Sequence, residues 1–316
     1  MDTTDTPGLA GLAGLAGLPE TLEFAKGHGT GNDFVIIPDP HDTLDLSPAV
    51  VAAVCDRRFG LGGDGVLRVV PATAHPPAAG SAARWFMDYR NADGSVAEMC
   101  GNGARVFARY LAESGLVDKG EFPMATRTGV VVARVSGGEV TVTMTRPRVS
   151  GRSTARVGWR GAASGRELAG VVVDCGNPHL VCPLPPDMAL SGLDLTAPPA
   201  VDTGVFPSGV NVEFTSPGEG VPEVDTHVRM RVYERGVGET LSCGSGACAA
   251  AAAAVADAGA DQGTAVVDVP GGRLRVALTA AGCELTGPAD VVARGTLVTR
   301  RLRVAASGPA AGGAAG

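Results

Sequence analysis

The sequence has almost no lysine: Lys26 and Lys119 stand against 24 arginines. A pyridoxal-type site, which anchors its ring on a lysine amine, therefore has little support. Basic runs are missing and the net charge is −7, which argues against a nucleic-acid footprint. No run of 18 apolar residues occurs, so no membrane-spanning helix is expected. The seven cysteines are odd in number and include no Cys-x-x-Cys pair, which fits neither a zinc site nor a disulfide framework. Reduced thiols point to a cytoplasmic protein. The first residues do not read as a signal peptide, because Asp2 and Asp5 stand where positive charge belongs and glycine interrupts the apolar run.

What is present suits two domains. The chain has 316 residues and is 45% hydrophobic, enough for two ordinary cores. Alanine, glycine and valine are so abundant that any single one is weak evidence. Residues 1–21, with a Gly-Leu-Ala repeat, and 304–316, nearly all small residues, are predicted to be disordered tails.

One unusual turn occurs twice. Cys100-Gly101-Asn102-Gly103-Ala104 returns as Cys243-Gly244-Ser245-Gly246-Ala247, 143 positions later. Each copy runs into a helix-forming stretch and so puts a thiol at a helix N-terminus, where free N–H groups and the macrodipole favour an anion. The repetition extends further. Gly31-Asn32-Asp33-Phe34-Val35 is echoed by Gly176-Asn177-Pro178-His179-Leu180, and Tyr89 and Gly94 by Tyr233 and Gly238. A near-constant offset through four blocks reads as a duplication with a pseudo-twofold axis, with the active site between the halves. Two equivalent thiols suggest acid/base groups on opposite faces of one carbon.

Short strands surround one central helix in each half, which predicts an α+β fold. The first helix runs from Cys100 to Ser114 and stops at Gly115; the second covers Gly244 to Ala258. Residues 147–166 are poorly patterned and mark the boundary between a domain over 22–146, to which 293–303 could return, and one over 147–292. Gly60-Leu61-Gly62-Gly63-Asp64-Gly65 matches a dinucleotide-binding pattern, but here a helix precedes it and a strand follows, the reverse of the required context. Cys55, Cys175, Cys182 and Cys283 read as inert core thiols, and Cys248 as packing. Taken singly, Asn32, Asn91, Asn177 and Asn211 fit turns, His28 and His179 fit structural roles, and Glu234-Arg235 fits an exposed ion pair.

Together the ordered blocks say more. Gly29-Thr30-Gly31-Asn32-Asp33-Phe34, Asn91-Ala92-Asp93-Gly94-Ser95, Glu98-Met99-Cys100-Gly101-Asn102-Gly103, Gly176-Asn177-Pro178-His179, Gly209-Val210-Asn211, and Tyr233-Glu234-Arg235-Gly236 followed by Ser242-Cys243-Gly244-Ser245-Gly246 resemble diaminopimelate epimerase over nearly everything but the tails. The resemblance implies two pseudo-symmetric α+β domains, each a barrel-like, mostly antiparallel sheet around a central helix. It implies a cofactor-independent homodimeric epimerase that interconverts LL- and meso-2,6-diaminopimelate for lysine and peptidoglycan precursors. Its catalytic cysteines would be Cys100 and Cys243. Its substrate contacts would be Asn32, Asn91, Gly101, Asn102, Asn177, Asn211, Glu234, Arg235, Gly244 and Ser245, with His179 and Glu234 supporting the thiols. Many members carry Gln where this chain has Gly65, so that contact is expected to pass to water or backbone. Alternatives are a cofactor-free racemase of another amino acid, whose proline-type members have His where Asn102 stands, and a non-catalytic relative, which would usually lose one cysteine.

The chemistry would remove an α-proton and return one on the other face. One cysteine must then be a thiolate and the other a thiol, and a helix N-terminus is expected to lower the thiol pKa. Amides at Gly101-Asn102 and Gly244-Ser245 would hold charge developing on the α-carboxylate.

Overall fold

The computed structural model describes residues 18–302 except 76, 78, 79, 119, 162 and 163. The first half opens with β1 (Thr21–Gly29), which turns into β2 (Asn32–Pro38) through Thr30 and Gly31, at φ +51° and +84°. A two-residue hairpin with both φ positive matches the strand twist, but a β-branched residue there is strained. α1 (Pro48–Cys55) follows, started by Ser47, whose hydroxyl accepts from the Val50 amide. Then come β3 (Gly65–Pro71), β4 (Trp85–Asn91), α2 (Gly101–Glu113), β5 (Glu121–Thr126), β6 (Gly129–Ser136) and β7 (Glu139–Met144). The second half contains β8 (Arg148–Trp159), β9 (Arg166–Asp174), β10 (Pro178–Pro183), the short β11 (Leu193–Asp194) and β12 (Ala200–Val201), β13 (Asn211–Pro217) and β14 (Thr226–Glu234). It closes with β15 (Gly238–Thr240), α3 (Gly244–Asp257), β16 (Gly263–Val269), β17 (Gly272–Thr279), β18 (Gly282–Pro288) and β19 (Asp290–Val298).

The pairing repeats. In the first half β1–β2 is antiparallel, β2–β3 parallel, β3–β4 antiparallel and β4–β5 parallel, and β5, β6 and β7 form an antiparallel meander. In the second, β9–β10, β10–β13, β13–β14 and β14–β16 repeat that alternation before the meander β16–β17–β18. β8 pairs with β9 as β19 pairs with β1, and β7 joins β18 across the two halves. The sheet is thus mostly antiparallel and curls round one helix per half, and the last strand belongs by its pairing to the first half.

Each central helix is buried on nearly every side, α2 from Gly101 through Leu111 and α3 over most of its alanine-rich length. One apolar cluster takes in both helices and the inner sheet faces, including Phe34, Phe107, Val142, Ala247 and Leu285. β2 is apolar on both faces because Phe34 and Ile36 turn to that cluster while Val35 and Ile37 turn to α1. Both helices stop in the same way. Gly115 and Gly259 adopt φ +66° and +78°, while the Leu116 and Ala260 amides reach back to the Leu111 and Val255 carbonyls.

Two sequence expectations differ from what is seen. The unpatterned stretch 147–166 contains β8. Only Ala155 and Val157 of that strand are buried, so the backbone ladder forms it with little hydrophobic alternation to reveal it. Part of the N-terminal tail is ordered: the Thr299 amide donates to the Glu20 carbonyl at 3.0 Å and Leu18 packs beside Leu22. The rest of that tail, the tail 304–316 and Lys119 lie outside the described residues.

Candidate active site

Cys100 is the N-cap of α2 and Cys243 the N-cap of α3. Each sulfur accepts from the amide three residues on, Gly103 at 3.4 Å and Gly246 at 3.3 Å. Cysteine is an unusual cap, and here the same geometry occurs twice. The helices meet at these ends. A methyl group added to Gly244 would lie 3.1 Å from the Gly101 Cα and 3.4 Å from the Asn102 nitrogen. Glycine at both positions lets two helix N-termini, each worth about half a positive charge, converge on one point.

The thiols do not titrate as the helix N-terminus alone would suggest. Burial pushes Cys100 up to about 11, against the pull of the Gly103 and Asn102 amides and the Arg105 guanidinium. Cys243 is raised well above the ordinary thiol range, by burial first and then by Glu234 and Glu213. Desolvation of the anion outweighs the macrodipole in this enclosed site. Both thiols therefore hold their protons at pH 7, a correction to the expectation of a low thiol pKa.

Around Cys100, Asn32 accepts the S–H at 3.6 Å on Oδ1 and donates from Nδ2 to Asp64 at 2.7 Å. Asp64 is held by Arg57, which also grips Asp33, and Asp33 binds Lys26. Lys26 reaches the Gly62 carbonyl. The glycine loop that resembled a nucleotide motif is thus a support for Asn32. Asn102 is buried, and its amide donates to Asn32 Oδ1 at 3.3 Å and to the Ser242 carbonyl at 2.9 Å. Its side chain ties the halves together, while its backbone amide points to the Cys100 sulfur. Asn91 caps the turn after β4, bonding Ser95 through backbone and side chain. Gly65 pairs with Asn91 and Phe34, and a Cβ there would fall 2.4 Å from the Arg90 carbonyl oxygen. No side chain fits at this position on this backbone.

Around Cys243, the sulfur lies 3.6 Å from the Ser245 hydroxyl and within hydrogen-bonding reach of Glu234. Burial raises the Glu234 carboxyl, opposed by hydrogen bonds from Thr240 and Cys243. Its charge acts on both thiols. His179 is fully buried on β10, with Nδ1 2.7 Å from Glu213 Oε1 and Nε2 3.0 Å from Asn177 Oδ1. Its hydrogen bonds go to these two groups and not to a thiol. Asn211 accepts from the Arg235 amide at 2.9 Å and donates to the Pro178 carbonyl at 3.3 Å. The Arg235 guanidinium is exposed and bonds the Ser208 carbonyl at 3.3 Å, which leaves donors free for an anion.

Sequence reading missed Thr30, Arg105, Glu213, Thr240 and Ser242. Glu213 was findable, since strand alternation puts it on the face of Asn211. A cleft of about 410 Å³ lined by Gly170, Val181, Thr215, His227, Ala253 and Asp257 lies elsewhere and holds none of the predicted residues.

With the geometry in hand, comparison with known proteins is informative. The family model for diaminopimelate epimerase matches residues 24–150 and 171–292. A diaminopimelate epimerase of Corynebacterium glutamicum is 49% identical over 282 residues, covering 87% of this chain and 98% of that protein. One of Streptomyces coelicolor is 51% identical over 286 residues, covering 87% and 94%. Among solved structures, a phenazine biosynthesis protein of the PhzF family from Bacillus anthracis superposes with a TM-score of 0.62 at 14% identity, covering 88% of this chain and 99% of that one. A hydroxyproline epimerase from Agrobacterium vitis, with trans-4-hydroxy-L-proline bound, gives 0.58 at 16%, covering 88% and 92%. At such identities these structures speak to the two-domain fold.

Proposed function

The chain belongs to the diaminopimelate epimerase family, and we propose that it interconverts LL- and meso-2,6-diaminopimelate by moving protons through Cys100 and Cys243. The observation that carries this reading is the convergence of two thiol-capped helix N-termini, with Gly101 against Gly244 and Glu234 acting on both sulfurs. The roughly 50% identity to named epimerases supports the substrate.

The reaction needs one thiolate and one thiol. Because burial keeps both sulfurs protonated, one proton must leave before the reaction can start. Glu234, beside Cys243 and itself raised by burial, is the nearest acceptor. One sulfur then takes the α-proton while the other delivers its own to the opposite face, so configuration inverts at that carbon and the two roles exchange. Amides at Gly101-Asn102 and Gly244-Ser245 face the α-carboxylate and hold the charge that develops on it. Closure of the two halves expels water and strengthens those dipoles. At the far end of the substrate Arg235 takes the second carboxylate. Asn91, Asn177 and Asn211 add hydrogen bonds to the second head, while Asn32 and Glu234, which touch the two sulfurs, serve the reacting head; an analogue lacking the second head would lose the pairing with Arg235.

We place the protein in the cytoplasm as a homodimer acting in lysine and peptidoglycan precursor synthesis. The free state of every described cysteine supports a reducing compartment, and no helix among the described residues is long and apolar enough to cross a membrane. Light scattering would test the dimer.

The deciding experiment incubates reduced protein with LL-diaminopimelate in deuterated water without added cofactor. The expected result is meso product with deuterium at one α-carbon, lost at least about a thousandfold in Cys100→Ala and in Cys243→Ala. Wild type that neither isomerises nor exchanges would remove this substrate, and turnover of another amino acid alone would favour the racemase alternative.

A further inference from the structure

Arg105 lies in the second turn of α2, is completely buried, and has only neutral groups around it. Its Nη1 donates to the Gly101 carbonyl at 3.3 Å, and Nη2 donates to Asn102 Oδ1 at 3.0 Å and Thr30 Oγ1 at 3.2 Å. Its Nε has no partner among the described residues, and none of its hydrogen bonds goes to a carboxylate. A guanidinium near a helix N-terminus also faces the wrong end of the macrodipole. Taking such an ion out of water is costly unless an opposite charge meets it. The position thus pairs a charge with an environment that does not compensate it, and the groups able to become anions that act on it are Cys100, first, and Cys248.

The bonds that leave Arg105 have a direction. Arg105 needs an acceptor, so it fixes Asn102 with Oδ1 inward and the amide nitrogen outward. That nitrogen donates to the Ser242 carbonyl, next to Cys243, and to Asn32 Oδ1, the atom that receives the Cys100 S–H. Asn32 in turn must present its nitrogen to the Asp64 carboxylate. A cation at one end and an anion at the other therefore set the orientation of both amides. A second branch runs through Thr30, strained at φ +51°, to the Ser242 hydroxyl at 2.6 Å. Both branches cross from one half to the other beside the two sulfurs.

We propose that Arg105 is a positioning residue whose buried charge serves as counter-ion to the Cys100 thiolate and whose hydrogen bonds orient Asn102, Asn32 and Ser242 between the two thiols. This rests on the two-thiol reading above. It makes the site an incomplete ion pair at rest: the cation is in place, and the anion forms each time Cys100 gives up its proton during turnover. Burial lowers Arg105 to about 10, with Cys100 and Cys248 acting in the opposite sense, so the guanidinium stays charged at neutral pH. The ionisable groups facing Cys100 are Arg105 on its own helix, Glu234 on β14 and Tyr89 on β4; Arg105 faces Cys100 and, from α3, Cys248. Glu234 and Tyr89 oppose the thiolate or are neutral, which leaves Arg105 as the cation that favours it.

The test measures alkylation of Cys100 by iodoacetamide against pH in a Cys243→Ala background, which needs no substrate. It is run with Arg105, Arg105→Met and Arg105→Lys, alongside the pH profile of kcat/KM in the two-cysteine enzyme. Loss of the charge should move the alkylation midpoint and the acidic limb of kcat/KM upward by about one pH unit or more, and lower kcat at least about tenfold with KM nearly unchanged. Lysine should keep both midpoints near those of wild type while losing rate, because it supplies the charge without the fork. Folded Arg105→Met with unshifted midpoints would overturn the proposal. If that variant does not fold, a midpoint for Arg105→Lys raised as far as about one unit would overturn it equally. Wild type inactive on diaminopimelate but showing the alkylation shift would count against the substrate and leave Arg105's role standing.

Discussion

Cysteine at position 100 illustrates how environment overrides local chemistry. The sequence places it at a helix start, and the structure has it there, yet burial wins over the helix amides and raises the thiol. The sign of the resulting pH dependence follows. The folded thiol holds its proton up to about 11, whereas its ordinary value is 9.0, so folded protein binds more protons between these limits. Stability from this group is full below pH 9 and lost as pH rises through about 11. The unfolding free energy of wild type from urea titrations should therefore fall further between about pH 8 and 11 than that of Cys100→Ala, by about 1–3 kcal/mol. Equal slopes would show that the thiol is not desolvated. Arg105 was not legible in the sequence for a related reason. With Arg109 it makes an i, i+4 pair that resembles a solvated helix face, yet both are buried, Arg109 by donating to the Ala289 carbonyl at 2.9 Å. Only the surrounding sheet reveals this.

At the scale of elements, the central helices owe their use to their first residues. The Cys-Gly-x-Gly starts were legible because they occur twice, and the glycines matter where the helices touch. Gly244→Ala would press a methyl group onto the Gly101 backbone at 3.1 Å, which cannot yield without moving α2. Gly101→Ala meets only the ends of Leu285 and Met144, at 3.0 Å and 3.1 Å. We expect Gly244→Ala to cost about tenfold more in kcat than Gly101→Ala, with both proteins folded by circular dichroism. An equal effect would mean that the approach of the helix ends is not what matters. The turn at Asn91, by contrast, was legible from its residue type, while β8 was hidden by its exposure.

For the whole molecule, closure depends on the last strand. β19 pairs with β1 along eight positions, from Thr21 with Val298 to His28 with Asp290. The preceding β18 joins β7. A chain ending at Pro288 should leave the edge of β1 unpaired and α2 partly uncovered. It should lose cooperative melting of the first half and all epimerase activity, as limited proteolysis and calorimetry would reveal. A truncated chain with unchanged melting would show that this strand is dispensable.

The sequence by itself determined the duplication, the two thiols, their helix-start positions and the family, because each is carried by local residue types at fixed spacing. Tertiary structure alone decided that the two helix ends meet, that both thiols are neutral at rest, that Gly65 has no room for a side chain, and that a buried arginine stands behind them. These depend on which surfaces are excluded from water and on contacts between different elements, from Gly65 with Arg90 to Gly101 with Gly244, and no local pattern encodes either.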